Sequence, residues 1–255
     1  MKLVPRSLAG LGLALALLPA GCERDEPAPA QVPAHPAQAA VAEVPVEPPV
    51  EAREIAVPGD LPVFIVRGPG GACPRMVFLH GMCGHGLGYI QSFQFAAHDH
   101  GGVLALQGDV ACGGSGVFRK YSFDVATHDA RIRNALSACG GEAEDLVVIG
   151  YSQGASVAER LAERWPARYS RVVLLGAPRT PSVARLGRVR GAVMVSGEHD
   201  ARYRMKEGAS GLAAAKIPAT YLEMPGARHG QMTEAERVMR EAFDWLAAHA
   251  KTSPP

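Results

Sequence analysis

The sequence predicts an α/β fold, a doubly wound and mostly parallel sheet with helices on both faces. Two patterns predict it. Short runs of apolar and β-branched residues recur along the chain, each followed by turn residues, which suits strands buried on both faces of a parallel sheet. Between these runs lie longer stretches in which apolar residues have helical spacing. Strand therefore alternates with helix, as in a doubly wound sheet.

Six apolar runs predict the parallel strands, and in chain order they cover residues 76–79, 102–106, 146–149, 172–175, 192–195 and 220–222. Upstream of them, residues 53–57 and 63–66 flank the turn sequence Pro58-Gly59-Asp60. Two short strands around such a turn predict an antiparallel hairpin, which we expect at an edge of the sheet.

The predicted helices cover residues 89–98, 125–138, 155–165 and 205–217, followed by a last helix near the C-terminus. That last helix is the best marked of them. Thr233 and Glu236 have the spacing of a capping box, and an apolar stripe runs from Met239 to Leu246. We therefore expect this helix to begin with a side-chain cap.

The first 21 residues have the pattern of an export signal. Lys2 and Arg6 precede an apolar run over residues 8–18, which is too short for a transmembrane anchor, and Pro19-Ala20-Gly21 leads into Cys22. This ending resembles the lipobox of bacterial lipoproteins, in which the signal is cut before a cysteine that then carries lipid. Pro19 departs from that pattern, which usually has leucine there, so an ordinary cleaved signal is the alternative. The resemblance implies lipidation of Cys22 and a lipid-anchored protein in the bacterial cell envelope.

Composition divides the rest of the chain. Residues 22–52 are rich in Pro and Ala without a hydrophobic period, which predicts a disordered tether. Residues 53–251, about 200 in number, are enough for one domain with a full core, and residues 252–255 form a tail. The hydrophobic fraction of 47% is that of a globular protein, and the net charge of +1 gives no basis for nucleic-acid binding.

Four cysteines besides Cys22 predict two disulfides in an exported protein: Cys73, Cys83, Cys112 and Cys139. Four cysteines allow three connectivities. Cys83 and Cys112 each follow one of two neighbouring predicted strands and so lie at the carboxyl-terminal edge of the sheet. Cys73 precedes a strand and Cys139 ends a helix, so both lie at the opposite edge. The strand order thus predicts the pairs Cys83–Cys112 and Cys73–Cys139. The spacings do not match a metal site, and we expect neither a metal nor a cofactor.

The sequence Gly150-Tyr151-Ser152-Gln153-Gly154 is a G-x-S-x-G motif set between a predicted buried strand and a predicted helix. A serine in this position sits on a tight strand-to-helix turn, and the flanking glycines leave room for the backbone to bend. Here the chain resembles the α/β-hydrolase superfamily, and the resemblance extends over nearly the whole domain. It implies that Ser152 is a nucleophile activated by a histidine and an acid that follow it in the chain.

The resemblance implies the other site residues as well. Asp200 follows a predicted strand where the family has its acid, with Glu198 as the reserve candidate, and His229 on the loop before the last helix matches the catalytic histidine. The oxyanion donors would be the backbone N–H groups of Met82, after the first parallel strand, and Gln153, after the nucleophile.

The short connection between the strands at 172–175 and 192–195 leaves no room for the cap domain that many relatives insert there. We expect an open site in a monomer that acts on small or medium acyl esters, as a carboxylesterase does. A peptidase of the same fold, an acyltransferase and a surface lipoprotein that binds a partner without catalysis are the alternatives, because fold does not select among them.

Overall fold

The computed structural model describes residues 49–252, which belong to one compact unit. The predicted export signal, Cys22 and most of the predicted tether lie outside the described residues, as does most of the predicted tail. The strands are β1 Arg53–Ile55, β2 Val63–Arg67, β3 Met76–Leu79, β4 Gly102–Leu106, β5 Val110–Ala111, β6 Arg119–Lys120, β7 Val147–Tyr151, β8 Arg171–Leu175, β9 Gly191–Gly197 and β10 Ala219–Met224.

Eight of these strands form one twisted sheet in the order β1-β2-β4-β3-β7-β8-β9-β10. β1 pairs antiparallel with β2, and β2 pairs antiparallel with β4, whereas every other pairing in the sheet is parallel. The predicted fold class and the hairpin at one edge of the sheet are therefore confirmed. β3, β7, β8 and β9 are buried on both faces, which explains their continuous apolar sequences.

Helices cover both faces of the sheet. They are α1 Gly86–Gln91, α2 Gln94–Asp99, α3 Val125–Ala138, α4 Gln153–Arg164, α5 Val183–Leu186, α6 Arg202–Ala214 and α7 Ala235–His249. α3, α4, α5 and α6 pack on one face, where Leu161 is fully buried, and α1, α2 and α7 pack on the other, around Phe93. Burying each such side chain stabilises the fold by about 1.5–3 kcal/mol.

The single helix predicted over residues 89–98 is wrong, because the structure has two short helices there. The non-helical backbone of Phe93, with φ −141° and ψ 33°, separates α1 from α2. The Phe93 ring is buried between Phe78 and Phe243, with ring centroids 5.8 and 6.2 Å away. Burial of this ring in the core outweighs the local preference for a continuous helix.

The capping box predicted for the last helix is also wrong. Thr233 precedes the N-cap residue Glu234, which has a left-handed backbone with φ 59° and no side-chain cap. The Glu236 carboxylate instead accepts a hydrogen bond of 2.6 Å from the backbone N–H of Ala96, in the first turn of α2. Glu236 therefore satisfies an unpaired N–H at the start of another helix.

A small hairpin of β5 and β6 follows β4 and was not predicted. It pairs Val110 with Lys120 and Ala111 with Arg119, and Gly84 forms an isolated bridge to Arg119. The hairpin lies at the carboxyl-terminal edge of the sheet, beside the turn that follows β3.

The connection from β8 to β9 contains only the four-residue helix α5, so the predicted absence of a cap domain holds for the described residues. None of the helices in residues 49–252 is both long and apolar enough to cross a membrane.

Candidate active site

The turn from β7 into α4 holds Ser152 in a strained backbone conformation, with φ 52° and ψ −113°. The Ser152 N–H donates a 2.9 Å hydrogen bond to the carbonyl of Leu175 on β8, which fixes the turn on the sheet. A side chain at Gly150 would clash with the Gly154 carbonyl, and one at Gly154 would clash with the Leu79 carbonyl. Both glycines of the motif are thus required for α4 to pack closely against the strands.

Ser152, His229 and Asp200 lie together at the carboxyl-terminal edge of the sheet. Nε2 of His229 is 3.0 Å from Oγ of Ser152, and Nδ1 of His229 is 2.8 Å from Oδ2 of Asp200. A carboxylate can only accept, so Nδ1 carries the proton and Nε2 is free to accept the serine hydroxyl. This arrangement can withdraw a proton from Ser152.

Glu198, the reserve candidate for the acid, lies elsewhere. Its Oε2 accepts a 2.8 Å hydrogen bond from the N–H of Gly226, on the loop that carries His229. The structure therefore places Asp200 rather than Glu198 beside the histidine. Gly176, with φ 51°, makes room for this contact, since a Cβ there would lie 2.8 Å from Oδ2 of Asp200.

Tyr151 positions the histidine from the residue before the nucleophile. Its hydroxyl oxygen accepts a short hydrogen bond from the N–H of Gly230, and its ring centroid is 5.3 Å from that of His229. Burial raises the pKa of Tyr151 to about 12, so the hydroxyl stays neutral. Nothing in the sequence around Tyr151 indicates this role.

The predicted oxyanion donors lie on the turn after β3 and at the start of α4. A β-turn closes after β3 through a 3.0 Å hydrogen bond from the Gly84 N–H to the Gly81 carbonyl, and Met82 is inside it. A Cβ at Gly81 would lie 3.3 Å from Cβ of Ser152, so the turn touches the nucleophile. Gln153 is the first residue of α4 and has no helical acceptor for its N–H.

The Gln153 side chain holds the start of α4 against the chain at Tyr121. The Gln153 amide makes two 3.1 Å hydrogen bonds with the backbone N–H and C=O of Tyr121. The Met82 side chain is 64% exposed, so Met82 can contribute its backbone rather than core packing.

His80 is a buried residue whose role could not be predicted from the sequence. Nδ1 lies 2.7 Å from the Gly81 carbonyl, to which it donates, while Nε2 accepts a 3.0 Å hydrogen bond from the Gly108 N–H. Burial is the main reason that its pKa is lowered to about 4, and a neutral ring suits one donated and one accepted bond. His80 thus joins the turn after β3 to the segment after β4. The His80-Gly81 pair after a strand was the available signal, but in the sequence it indicates only the turn that carries Met82 and not a buried histidine.

Both predicted disulfide pairs are present in the structure. Cys83–Cys112 joins the turn after β3 to the β5–β6 hairpin, and Cys73–Cys139 lies at the opposite edge of the sheet. Within residues 49–252, no cluster of His, Cys, Asp or Glu could hold a metal ion.

Comparisons with known proteins give the fold. No protein-family model matches the chain, and none of the curated proteins searched matches it. Among solved structures, esterase PE8 is similar with a TM-score of 0.57 at 16% identity, covering 78% of this chain and 100% of its own.

A predicted CIB-like hydrolase from Thermoplasma acidophilum is similar with a TM-score of 0.57 at 18% identity, over 78% of this chain and 99% of its own. Esterase LipW from Mycobacterium marinum has a TM-score of 0.56 at 18% identity, over 78% of this chain and 82% of its own. At these identities the likeness establishes architecture, and the described domain has the α/β-hydrolase fold.

Proposed function

We propose that the protein is a serine hydrolase that cleaves carboxylic esters through an acyl-enzyme. One observation carries the proposal, namely the continuous hydrogen-bonded series from Ser152 through His229 to Asp200 on a strained strand-to-helix turn. The structural neighbours whose names include esterase support the choice of ester over other acyl substrates.

In the first half-reaction, Oγ of Ser152 attacks the acyl carbonyl carbon while Nε2 of His229 takes its proton. The carbonyl oxygen becomes an oxyanion, which accepts hydrogen bonds from the N–H groups of Met82 and Gln153. Each such donor is worth about 3 kcal/mol of transition-state stabilisation. When the tetrahedral intermediate collapses, the ester C–O bond breaks, and the departing alcohol takes the proton from Nε2.

In the second half-reaction, water attacks the acyl-enzyme and gives a proton to Nε2 of His229. The carboxylic acid leaves, and Ser152 regains its proton. Asp200 keeps Nδ1 protonated and stabilises the imidazolium formed in each step. General acid–base catalysis of this kind contributes about 10²–10⁴-fold in rate.

The test is hydrolysis of p-nitrophenyl butyrate by the purified chain, with Ser152→Ala and Ser137→Ala compared. Ser137 is exposed on α3, which makes it a matched control. We expect parent and Ser137→Ala to release p-nitrophenol equally and Ser152→Ala to lose at least about 10⁴-fold in kcat. Equal hydrolysis by Ser152→Ala would contradict the proposal. Faster cleavage of a peptide p-nitroanilide than of the ester would favour a peptidase.

We also infer that the chain is exported and held as a monomer at the bacterial cell envelope by lipid on Cys22. The two disulfides support an oxidising compartment. Intact-mass measurement of the chain made in a bacterial host tests it. We expect loss of residues 1–21 and a diacylglyceryl adduct that is absent from Cys22→Ser. Cleavage without lipid would leave an ordinary signal peptide.

A further inference from the structure

The β5–β6 hairpin is fastened to the turn after β3 at several points. The Cys83–Cys112 disulfide joins them covalently, and the Arg119 N–H donates a 3.1 Å hydrogen bond to the Gly84 carbonyl. Within the hairpin, the Cys112 N–H donates a 2.8 Å hydrogen bond to the Phe118 carbonyl. The hairpin therefore has a fixed position relative to the turn that carries Met82.

The Arg119 guanidinium fixes the hairpin from inside. It donates to the carbonyls of Asp109 and Gly116 at 2.9 and 3.1 Å and also to that of Gly108. A cation that donates to three carbonyls holds the loop in one shape.

This held loop presents two apolar side chains to solvent. Val117 is 51% exposed and Phe118 is 53% exposed. Apolar side chains that are fixed in position and left in water, next to a concave surface, are typical of a binding site.

An open groove of about 610 Å³ is lined by Val117 and Phe118, together with Tyr89 of α1 and Met232. Such a volume is in the usual range of about 300–1,000 Å³ for small-molecule sites. One end of the groove reaches Gly230, the residue after His229. The same lining includes Cys83 and Gly84 of the turn that contacts Ser152. The groove thus lies beside the proposed catalytic residues.

We propose that this groove binds the acyl chain of the ester substrate and that Phe118 and Val117 select for chains of medium length. The reaction in this inference is the one given by the proposed function. The binding site for the acyl chain is inferred from the groove. An ester carbonyl held by the turn after β3 has its acyl substituent beside the same turn, where the apolar lining begins.

The expected effect follows from burial of methylene groups. Complete burial of one CH₂ is worth about fourfold in affinity, and an open groove covers about half of it, or about twofold per CH₂. We therefore expect kcat/KM to rise by about twofold per added CH₂ from p-nitrophenyl acetate to p-nitrophenyl octanoate.

The experiment measures kcat/KM for both esters below their micelle concentrations in the parent, Phe118→Ala, Val117→Ala and Phe95→Ala chains. Phe95 on α2 is 52% exposed and lies outside the groove lining, so it is a matched control. Phe118→Ala should lower octanoate hydrolysis by about fivefold to tenfold and leave acetate hydrolysis within about twofold. Val117→Ala should do the same to a smaller degree, and Phe95→Ala should change neither.

Two results would overturn the groove while leaving the hydrolase intact. One is octanoate hydrolysis that Phe118→Ala does not change. The other is an effect of Phe118→Ala on acetate esters of longer alcohols but not on longer acyl chains, which would place the alcohol in the groove.

Direct binding separates failure of the groove from failure of the hydrolase. Binding of decanoate to Ser152→Ala, measured by calorimetry, should weaken at least about fivefold when Phe118→Ala is added. If the parent hydrolyses no ester but Phe118→Ala still weakens decanoate binding, the groove binds an acyl chain and the proposed hydrolase activity is wrong. If Phe118→Ala leaves decanoate binding unchanged but abolishes binding to phosphatidylglycerol vesicles, Val117 and Phe118 contact a membrane and the groove proposal is wrong.

Discussion

Asp200 follows β9 at the carboxyl-terminal edge of the sheet, whereas Asp145 precedes β7 at the amino-terminal edge. Asp145 forms ion pairs with Arg190 at 2.7 Å and Arg171 at 3.1 Å. Among the described residues, no arginine forms an ion pair with Asp200, and its Oδ2 lies 2.8 Å from Nδ1 of His229.

The pKa of Asp145 shows what its partners do. Partial burial acts to raise the pKa of this carboxyl, but the hydroxyl of Ser170 and the two arginines outweigh it, so the pKa is lowered. The negative charge at Asp145 is thus neutralised by ion pairs within the fold. At Asp200, the charge is available to stabilise an imidazolium that forms only during a reaction. The difference indicates that Asp145 serves the stability of the fold, whereas Asp200 is placed to serve chemistry.

The same substitution at both aspartates tests this division most strongly. Asp200→Asn should lower kcat for p-nitrophenyl butyrate by about 10⁴-fold, because the amide favours the wrong tautomer of His229. Asp145→Asn should leave kcat within about twofold, because it lies at the far edge. Steady-state kinetics of the two variants measures both values. Equal losses of kcat would contradict the difference between the two aspartates.

The two disulfides give the next largest effect. They close loops of 66 and 29 residues, so replacing either pair by serine should lower the free energy of unfolding by about 4 kcal/mol. Only the Cys83→Ser, Cys112→Ser double variant should also lower kcat/KM, by about tenfold, because it loosens the turn that carries Met82. Urea unfolding and ester kinetics measure both quantities. Unchanged kcat/KM in this variant would show that the disulfide does not position the turn that carries Met82.

The lowered pKa of His80 predicts that the free energy of unfolding depends on pH. Its pKa is about 4 in the folded protein, mainly because of burial, and 6.5 when unperturbed. Between these values the unfolded chain binds more protons, so stability is fully present above about pH 6.5 and is lost as pH falls toward 4, by about 3 kcal/mol. His80→Gln should have a smaller loss of unfolding free energy between about pH 7 and 4.5. Parallel urea titrations test this, and an identical pH dependence in both proteins would contradict it.

The smallest effect concerns stability at the other edge. Asp145→Asn should lower the free energy of unfolding by about 1–2 kcal/mol, because two ion pairs in a partly exposed setting are weakened. Asp200→Asn should change it by less than about 1 kcal/mol. Thermal unfolding of the two variants provides the measurement. A larger loss for Asp200→Asn would mean that Asp200 also stabilises the fold.

The sequence predicted the parallel strands well because their residues are buried on both faces. The runs at 76–79 and 102–106 match β3 and β4 in full. The order of serine, acid and histidine singled out three residues that the structure places in contact. Each of them directly follows a strand or a short loop, where position along the chain determines position in space.

Features that depend on tertiary contacts could not be predicted. The β5 and β6 strands have two residues each, in a Gly-rich segment without periodicity, and they depend on Arg119 and a disulfide for their shape. The role of His80 depends on Gly108, which is 28 residues away in the chain. Glu236 similarly caps a helix 140 residues upstream of it.

The central claim is that Ser152 is an activated nucleophile, and labelling with a fluorophosphonate probe tests it most directly. The purified parent chain should be labelled at Ser152, as peptide mass spectrometry would locate, and Ser152→Ala and His229→Ala should not be labelled. Circular dichroism would verify that all three proteins are folded. A well-folded parent that takes up no label would contradict the account and favour a binding protein without catalysis.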